Sequence, residues 1–181
     1  IKPTSGEAII DNLNVEQNII EIRKKIAFIP DSVVLYPELN AIENLSFFSS
    51  LANLYYTKDE LESFLIKAGL PKNAHNQYLS KYSKGMRQKV GIAISLAKKS
   101  KVLFLDEPTS SLDPKSSNDF SNIISDLRDE GVTVLMASHD LFRSKNLADR
   151  IGIMKNGKLE YVISTTDINF NELEKLYLET V

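Results

Sequence analysis

The sequence predicts an α/β fold, a parallel sheet core interrupted by a helical segment. Two observations carry this. The runs "KVLFL" (101–105) and "VTVLMAS" (132–138) are continuous and apolar, as strands covered on both faces are, and an amphipathic stretch lies between them. Residues from about 36 to 99 instead carry helical spacing, between stretches that read as strands.

Taken in order, "SGEAIID" reads as a turn feeding a short strand, and "KKIAFIP" (24–30) as a second strand stopped by Pro30. Asn40 followed by Glu43 is a capping box opening a helix, with Ile42, Leu45, Phe48 and Ala52 at helical spacing. Thr57 and Glu60 repeat the device before the stripe Leu61, Phe64, Leu65 and Ala68, and Gly69 ends that helix. A third helix follows "YSKG", with Met86, Val90, Ala93, Ile94 and Ala97 on one face. After "KVLFL" a helix is expected over about 115–130, with Phe120, Ile123, Ile124 and Leu127 inward and Gly131 as its stop. Strand, helix and strand in that order make a parallel crossover. "RIGIMKNGKLEYVI" alternates about Asn156-Gly157, a hairpin signal, and a short amphipathic helix bearing Leu173, Leu176 and Tyr177 closes the chain.

Composition narrows the function classes. The 181 residues are 43% apolar and 25% charged, enough for one domain with a substantial core. A net charge of −2 with both signs mixed gives no surface built for nucleic acid. The absence of cysteine excludes disulfides and thiolate metal sites. The longest largely apolar stretch, "VGIAISLA" at 90–97, is far below the ~20 residues of a spanning helix.

Asp106 and Glu107 stand where the strand "VLFL" ends, and ligands of parallel sheets gather at such ends. Adjacent acids there suit a cation on a nucleotide and a polarised water, or else are two solvated charges at a strand end. His139 ends the next strand and so falls at the same sheet edge. In "YSKGMRQK" (82–89), Ser83 is a good N-cap and Gly85 admits close backbone approach. The following N–H groups form an anion site or simply an ordinary cap.

Together, "YSKGMRQK", "KVLFLDEPTSSLDP" and "VLMASHD" resemble, in order and spacing, the nucleotide-binding domain of ATP-binding cassette (ABC) transporters. "YSKGM" is similar to the signature loop, "VLFLDE" to the Walker B strand, "SSLD" to the D-loop, and His139 to the switch histidine. "KKIAFIPDSVVLYPELNAIENLSFF" fits the Q-loop leading into the helical subdomain, and the ending "NELEKLYLETV" is similar to domains serving ABC-2-type exporters. The resemblance implies a P-loop NTPase (RecA-like) core at 1–35 and 100–181, with an inserted ABC helical subdomain at 36–99.

The implied cofactors are ATP and Mg²⁺. The implied partners are a membrane permease and a second nucleotide-binding domain paired head to tail, and the implied place is the cytoplasmic face of the membrane. Carried over residue by residue, Asp106 holds Mg²⁺, Glu107 is the general base, and His139 holds the γ-phosphate and water. Ser83, Lys84, Gly85 and Met86 face ATP bound by the partner domain, while Ser110 and Asp113 cross the interface. Leu35, Tyr36 and Pro37, beside the Q-loop, are candidates for the docking groove or for plain packing.

Three departures stand out. The family's phosphate cradle GxxxxGK[ST] does not occur where it should precede "IKPTSGE"; "GIMKNGKL" (152–159) has the glycine spacing but ends in leucine and straddles the hairpin. An N-terminally shortened ABC ATPase, poorly active alone and missing at least ~30 residues of strand, loop and helix, is therefore expected. At the usual Q-loop glutamine stands Asp31, able to face Mg²⁺ but adding repulsion beside Asp106 and Glu107. In the signature, Lys84 replaces glycine and Met86 replaces glutamine. Rival readings are a truncated, non-catalytic interaction module and a soluble ABC protein of translation or DNA repair.

Overall fold

In the computed structural model, residues 3–110 and 112–181 are described. Ile1 and Lys2 of the opening segment, and Ser111 of the "SSLD" loop, lie outside the described residues. The chain divides into two units, Ile1–Met136 and Ala137–Val181, each taken by itself below.

In the first unit, β1 (Ile9–Ile10) and β2 (Leu13–Asn14) form a small antiparallel hairpin. Its two turn residues, Asp11 and Asn12, have φ of 49 and 62, a region these short polar side chains tolerate. A helix not expected from the sequence, α1 (Ile19–Lys25), follows. It leads directly into β3 (Ile26–Ile29), which pairs in parallel with β4 (Val102–Asp106) from Ile26 opposite Val102 to Ile29 opposite Leu105. The strand β5 (Thr133–Ala137) lies on the other side of β4, giving the order β3-β4-β5.

The helical segment forms as its caps dictate. In α2 (Ala41–Leu51) and α3 (Lys58–Lys67), the Asn40–Glu43 and Thr57–Glu60 capping boxes are both made. Leu45, Leu61, Leu65 and Ala68 are buried, whereas Ala52, expected on the inner stripe, is exposed at the end of α2. The inner face carries Asn44 instead, fully buried. Its Oδ1 accepts from the Tyr36 N–H at 2.9 Å, and its Nδ2 donates to the carbonyls of Tyr36, Leu39 and Asn40. A single amide thus pins the loop at 36–40 to the helix. Gly69 stops α3 with φ +74, and a Cβ there would meet Ile123 Cδ1 at 2.9 Å.

The third helix of this segment, α4 (Lys84–Ala97), buries Val90, Ile92, Ala93 and Ala97. It packs on β3, and Gly91 leaves room there for Ile29 and Val33, whose methyls would lie 3.6 Å from a Cβ at this position. The helix α5 (Pro114–Asp129) buries Phe120, Ile124 and Leu127, matching the expected stripe. The expectation that the "KVLFL" and "VTVLMAS" strands are buried on both faces is corrected. Leu103 and Leu105 of β4 are buried while Val102 and Phe104 are partly exposed; β5 alternates, with Leu135 62% exposed, and Phe28 of β3 is 62% exposed. Among the described residues, α4 lies against β3, and β5 has no fully buried residue.

Tyr82, just before α4, is buried and donates from its hydroxyl to the Ala74 carbonyl at 2.7 Å. Burial pushes its pKa from 10.0 up to about 12. The folded chain holds this phenol protonated, so stability is full below pH 10 and falls as the pH rises toward about 12. Urea midpoints measured across that range should drop for the wild type. Tyr82→Phe should flatten the drop and cost about 1 kcal/mol at neutral pH for the lost hydrogen bond; an unchanged alkaline profile would contradict the assignment.

In the second unit, α6 (Leu141–Leu147) is capped by Asp140, whose Oδ1 accepts from the Arg143 N–H at 3.0 Å. The strands β6 (Arg150–Lys155) and β7 (Lys158–Ser164) form the expected hairpin about Asn156 (φ 49) and Gly157 (φ +78), with a bulge at Ile153/Met154. Lys158 therefore begins a strand and opens no helix. The helix α7 (Phe170–Thr180) has its own Asn169–Glu172 capping box, and Leu173 joins Ile151 and Ile153 as the core of this unit.

Candidate functional site

The strand β4 delivers Asp106, exposed, and then Glu107, half-buried, at its carboxyl end. Glu107 has φ 45, a left-handed conformation that glycine adopts freely and glutamate does not. A residue with a β-carbon held there stores strain of roughly 1 kcal/mol. Such strain persists where the surrounding structure fixes a side chain's direction. Pro108 behind it is buried, which anchors the turn.

The loop after β4 then runs into α5, whose N-cap is Asp113. Its carboxylate accepts from the Ser116 N–H at 3.0 Å and from the Ser116 hydroxyl at 2.5 Å. These donors, the hydroxyl foremost, hold its pKa below the usual carboxylate range. The start of α4 sits against this turn. Ser83 caps it, accepting from the Met86 N–H at 3.3 Å, and Gly85 is buried. A methyl on Gly85 would lie 3.4 Å from Leu112 Cδ2 and 3.6 Å from Ser116 Cβ. Close approach of the helix start to the turn is thus what Gly85 provides.

Lys84 makes the link that sequence reading missed. Its ammonium donates to Asp31 Oδ1 at 2.5 Å and to the Ser110 carbonyl at 2.8 Å. The loop after β3, the start of α4 and the loop after β4 are joined through one side chain. The Lys84 ammonium, and to a smaller extent Ser110, holds the Asp31 carboxyl below its ordinary pKa despite some desolvation. Asp31, Lys84 and Ser110 are therefore brought together, Gly85 in the first turn of α4 faces Leu112 and Ser116 on either side of Asp113, and Met86 is half-buried on α4. His139 belongs to the second unit, two residues after β5, exposed, and immediately before the Asp140 cap.

Beside Asp31, Leu35 is half-buried and Tyr36 and Pro37 are exposed. The Tyr36 ring meets Phe47 edge-on at 4.9 Å, and Phe47 meets Phe48 at 5.4 Å, so an aromatic cluster borders the loop. Among the described residues no cluster of three His, Cys, Asp or Glu side chains could hold a metal ion by itself. A single exposed carboxylate at a sheet edge, such as Asp106, does suit a hard cation that takes most of its oxygens from phosphate and water.

The sequence pattern of the family described as "ABC transporter" matches residues 1–110. The chain belongs to the ABC transporter family. It is 33% identical over 162 residues to the glutamine transport ATP-binding protein GlnQ of Geobacillus stearothermophilus, a match covering 86% of this chain and 66% of that one. It is 30% identical over 166 residues to the linearmycin resistance ATP-binding protein LnrL of Bacillus subtilis, covering 91% of this chain and 53% of that one. The chain thus spans about two thirds of the length of one ABC relative and about half of the other. Among solved structures, the dimeric, post-hydrolysis ATP-binding cassette MJ0796 bound to ADP and Pi superposes with a TM-score of 0.80 at 27% identity. That match covers 91% of this chain and 75% of the other. The fold is accordingly the α/β fold of ABC cassettes, which are P-loop NTPases. No helix among the described residues is long and apolar enough to cross a membrane.

Proposed function

We propose that this chain is the ATP-binding and ATP-hydrolysing part of an ABC exporter, coupling the ATP cycle to membrane partner subunits from the cytoplasmic face. The observation that carries the reading is Glu107, a non-glycine residue held left-handed directly after the exposed Asp106 at the end of β4. The likeness to transport-associated ATP-binding proteins, one of them a resistance protein, supports it. In this reading the sheet with 1–35 and 100–181 is the ATPase core, 36–99 is the inserted helical subdomain, and Leu35, Tyr36 and Pro37 at their junction receive the permease.

Asp106 would hold Mg²⁺, which supplies charge neutralisation on the phosphates. Glu107 takes the proton of the attacking water, and His139 orients the γ-phosphate and that water. Ser83, Lys84, Gly85 and Met86 face nucleotide carried by a second copy, and Ser110 and Asp113 lie at the contact between copies. Asp31, at the Q-loop position, faces the metal side of the same site. Because no GxxxxGK[ST] element occurs within these 181 residues, little ATP turnover is expected from them alone.

Mixing experiments test the shared site in the complete gene product. Ser83→Arg and Glu107→Gln each disable a site, but in a mixed pair one site keeps a working Glu107 from one copy and a working Ser83 from the other. Two inactive preparations should therefore regain about a quarter of wild-type turnover on random pairing. Absence of any recovery would contradict a site shared between copies.

A further inference from the structure

Two of the residues that depart from the ABC pattern, Asp31 at the Q-loop position and Lys84 in the signature, are each other's partners. The bond between Lys84 Nζ and Asp31 Oδ1, at 2.5 Å, bridges 53 residues of sequence. The same ammonium also holds the Ser110 carbonyl. A cation in the first turn of α4 opposes the positive end of the helix dipole, so helix formation alone does not favour lysine at this place. Acceptors from the loops after β3 and β4 converge on it, and nucleotide phosphate would be a further claimant.

We propose that Lys84, Asp31 and Ser110 form an internal lock that competes with nucleotide for the signature lysine. Resting on the proposed function, the lock holds the start of α4 against the loops after β3 and β4 while no nucleotide is presented. When a second copy offers ATP, the terminal phosphate takes the ammonium from Asp31. The lock therefore sets the ATP concentration at which two copies associate. Side-chain exposures of 29% for Lys84 and 47% for Asp31 leave the pair reachable and open to salt screening.

The test measures ATP-driven association of the complete gene product by light scattering, with Glu107→Gln in every sample to prevent turnover. Asp31→Asn, which removes the competitor, should lower the ATP midpoint roughly two- to fivefold, the scale of an exposed ion pair. Asp31→Glu keeps a carboxylate able to hold the Lys84 ammonium and should shift the midpoint less than Asp31→Asn does. Lys84→Gln removes both the lock and the phosphate contact and should raise the midpoint. Added salt should narrow the gap between Asp31→Asn and the unsubstituted chain. An Asp31→Asn midpoint that is unchanged or higher, or shifts of the same sign for Asp31→Asn and Lys84→Gln, would overturn the lock while leaving the shared site standing. No ATP-driven association in the unsubstituted chain would instead remove the function on which the lock rests, and the lock with it.

Discussion

Replacing Glu107 with glutamine is expected to stop ATP turnover in the complete gene product while leaving ATP binding in place. Glutamine matches glutamate in size, so the left-handed turn at φ 45 and the packing of Pro108 are unaffected. What is lost is a group able to accept a proton from the attacking water. General-base contributions are on the order of 100- to 10,000-fold, so turnover should fall by at least about 100-fold. With hydrolysis blocked, ATP stays at the proposed shared site, and ATP should now drive a long-lived dimer. Phosphate release and gel filtration with ATP measure the two effects together. Turnover near the wild-type rate would show that Glu107 is not the base.

Asn44→Ala is expected to be strongly destabilising. The side chain is fully buried in α2 and makes four hydrogen bonds to the loop at 36–40. Several of those carbonyls have other donors: Leu79 N–H reaches the Leu39 carbonyl at 3.0 Å, and the Asn44 N–H reaches that of Asn40. The Tyr36 N–H has Asn44 Oδ1 as its acceptor, and it would be left without one. An orphaned donor together with a small cavity costs about 2–4 kcal/mol. Urea denaturation should show that loss, and a change below about 0.5 kcal/mol would place Asn44 among ordinary surface substitutions. The same variant should loosen Tyr36, part of the surface proposed to receive the permease, and its edge-on contact with the Phe47 ring.

Much of this architecture is local and so is legible in the sequence. Capping boxes at Asn40 and Thr57, the Ser83 cap, the stripe on α5 and the Asn156-Gly157 turn each sit within a few residues, and each forms as expected. The misses have physical causes. Asn18 makes no side-chain cap bond and α1 is only seven residues long, so its start carries no signature. The helix α6 has no fully buried residue and thus no stripe to detect, although Asp140 caps it. An apolar run such as "VTVLMAS" reveals what a strand is able to bury, not which of its faces is covered. Asn44 occupies an inner helical position where periodicity favours an apolar residue, because its partners are backbone groups of a preceding loop.

At the candidate site, residue types and order are legible, and the Lys84–Asp31 contact is not. In the sequence each residue stands as a separate departure, one facing phosphate and the other metal. Nothing in spacing alone joins positions 53 residues apart, and the pairing emerges only when the loops after β3 and β4 meet the start of α4.

The most direct measurement is a crystal structure of the complete gene product carrying Glu107→Gln, grown with Mg²⁺ and ATP. One triphosphate is expected with Asp106 of one copy on its metal side and Ser83 and Gly85 of the other copy at its terminal phosphate. A nucleotide bound away from Asp106, or held by Asp106 and Ser83 of the same copy, would contradict it.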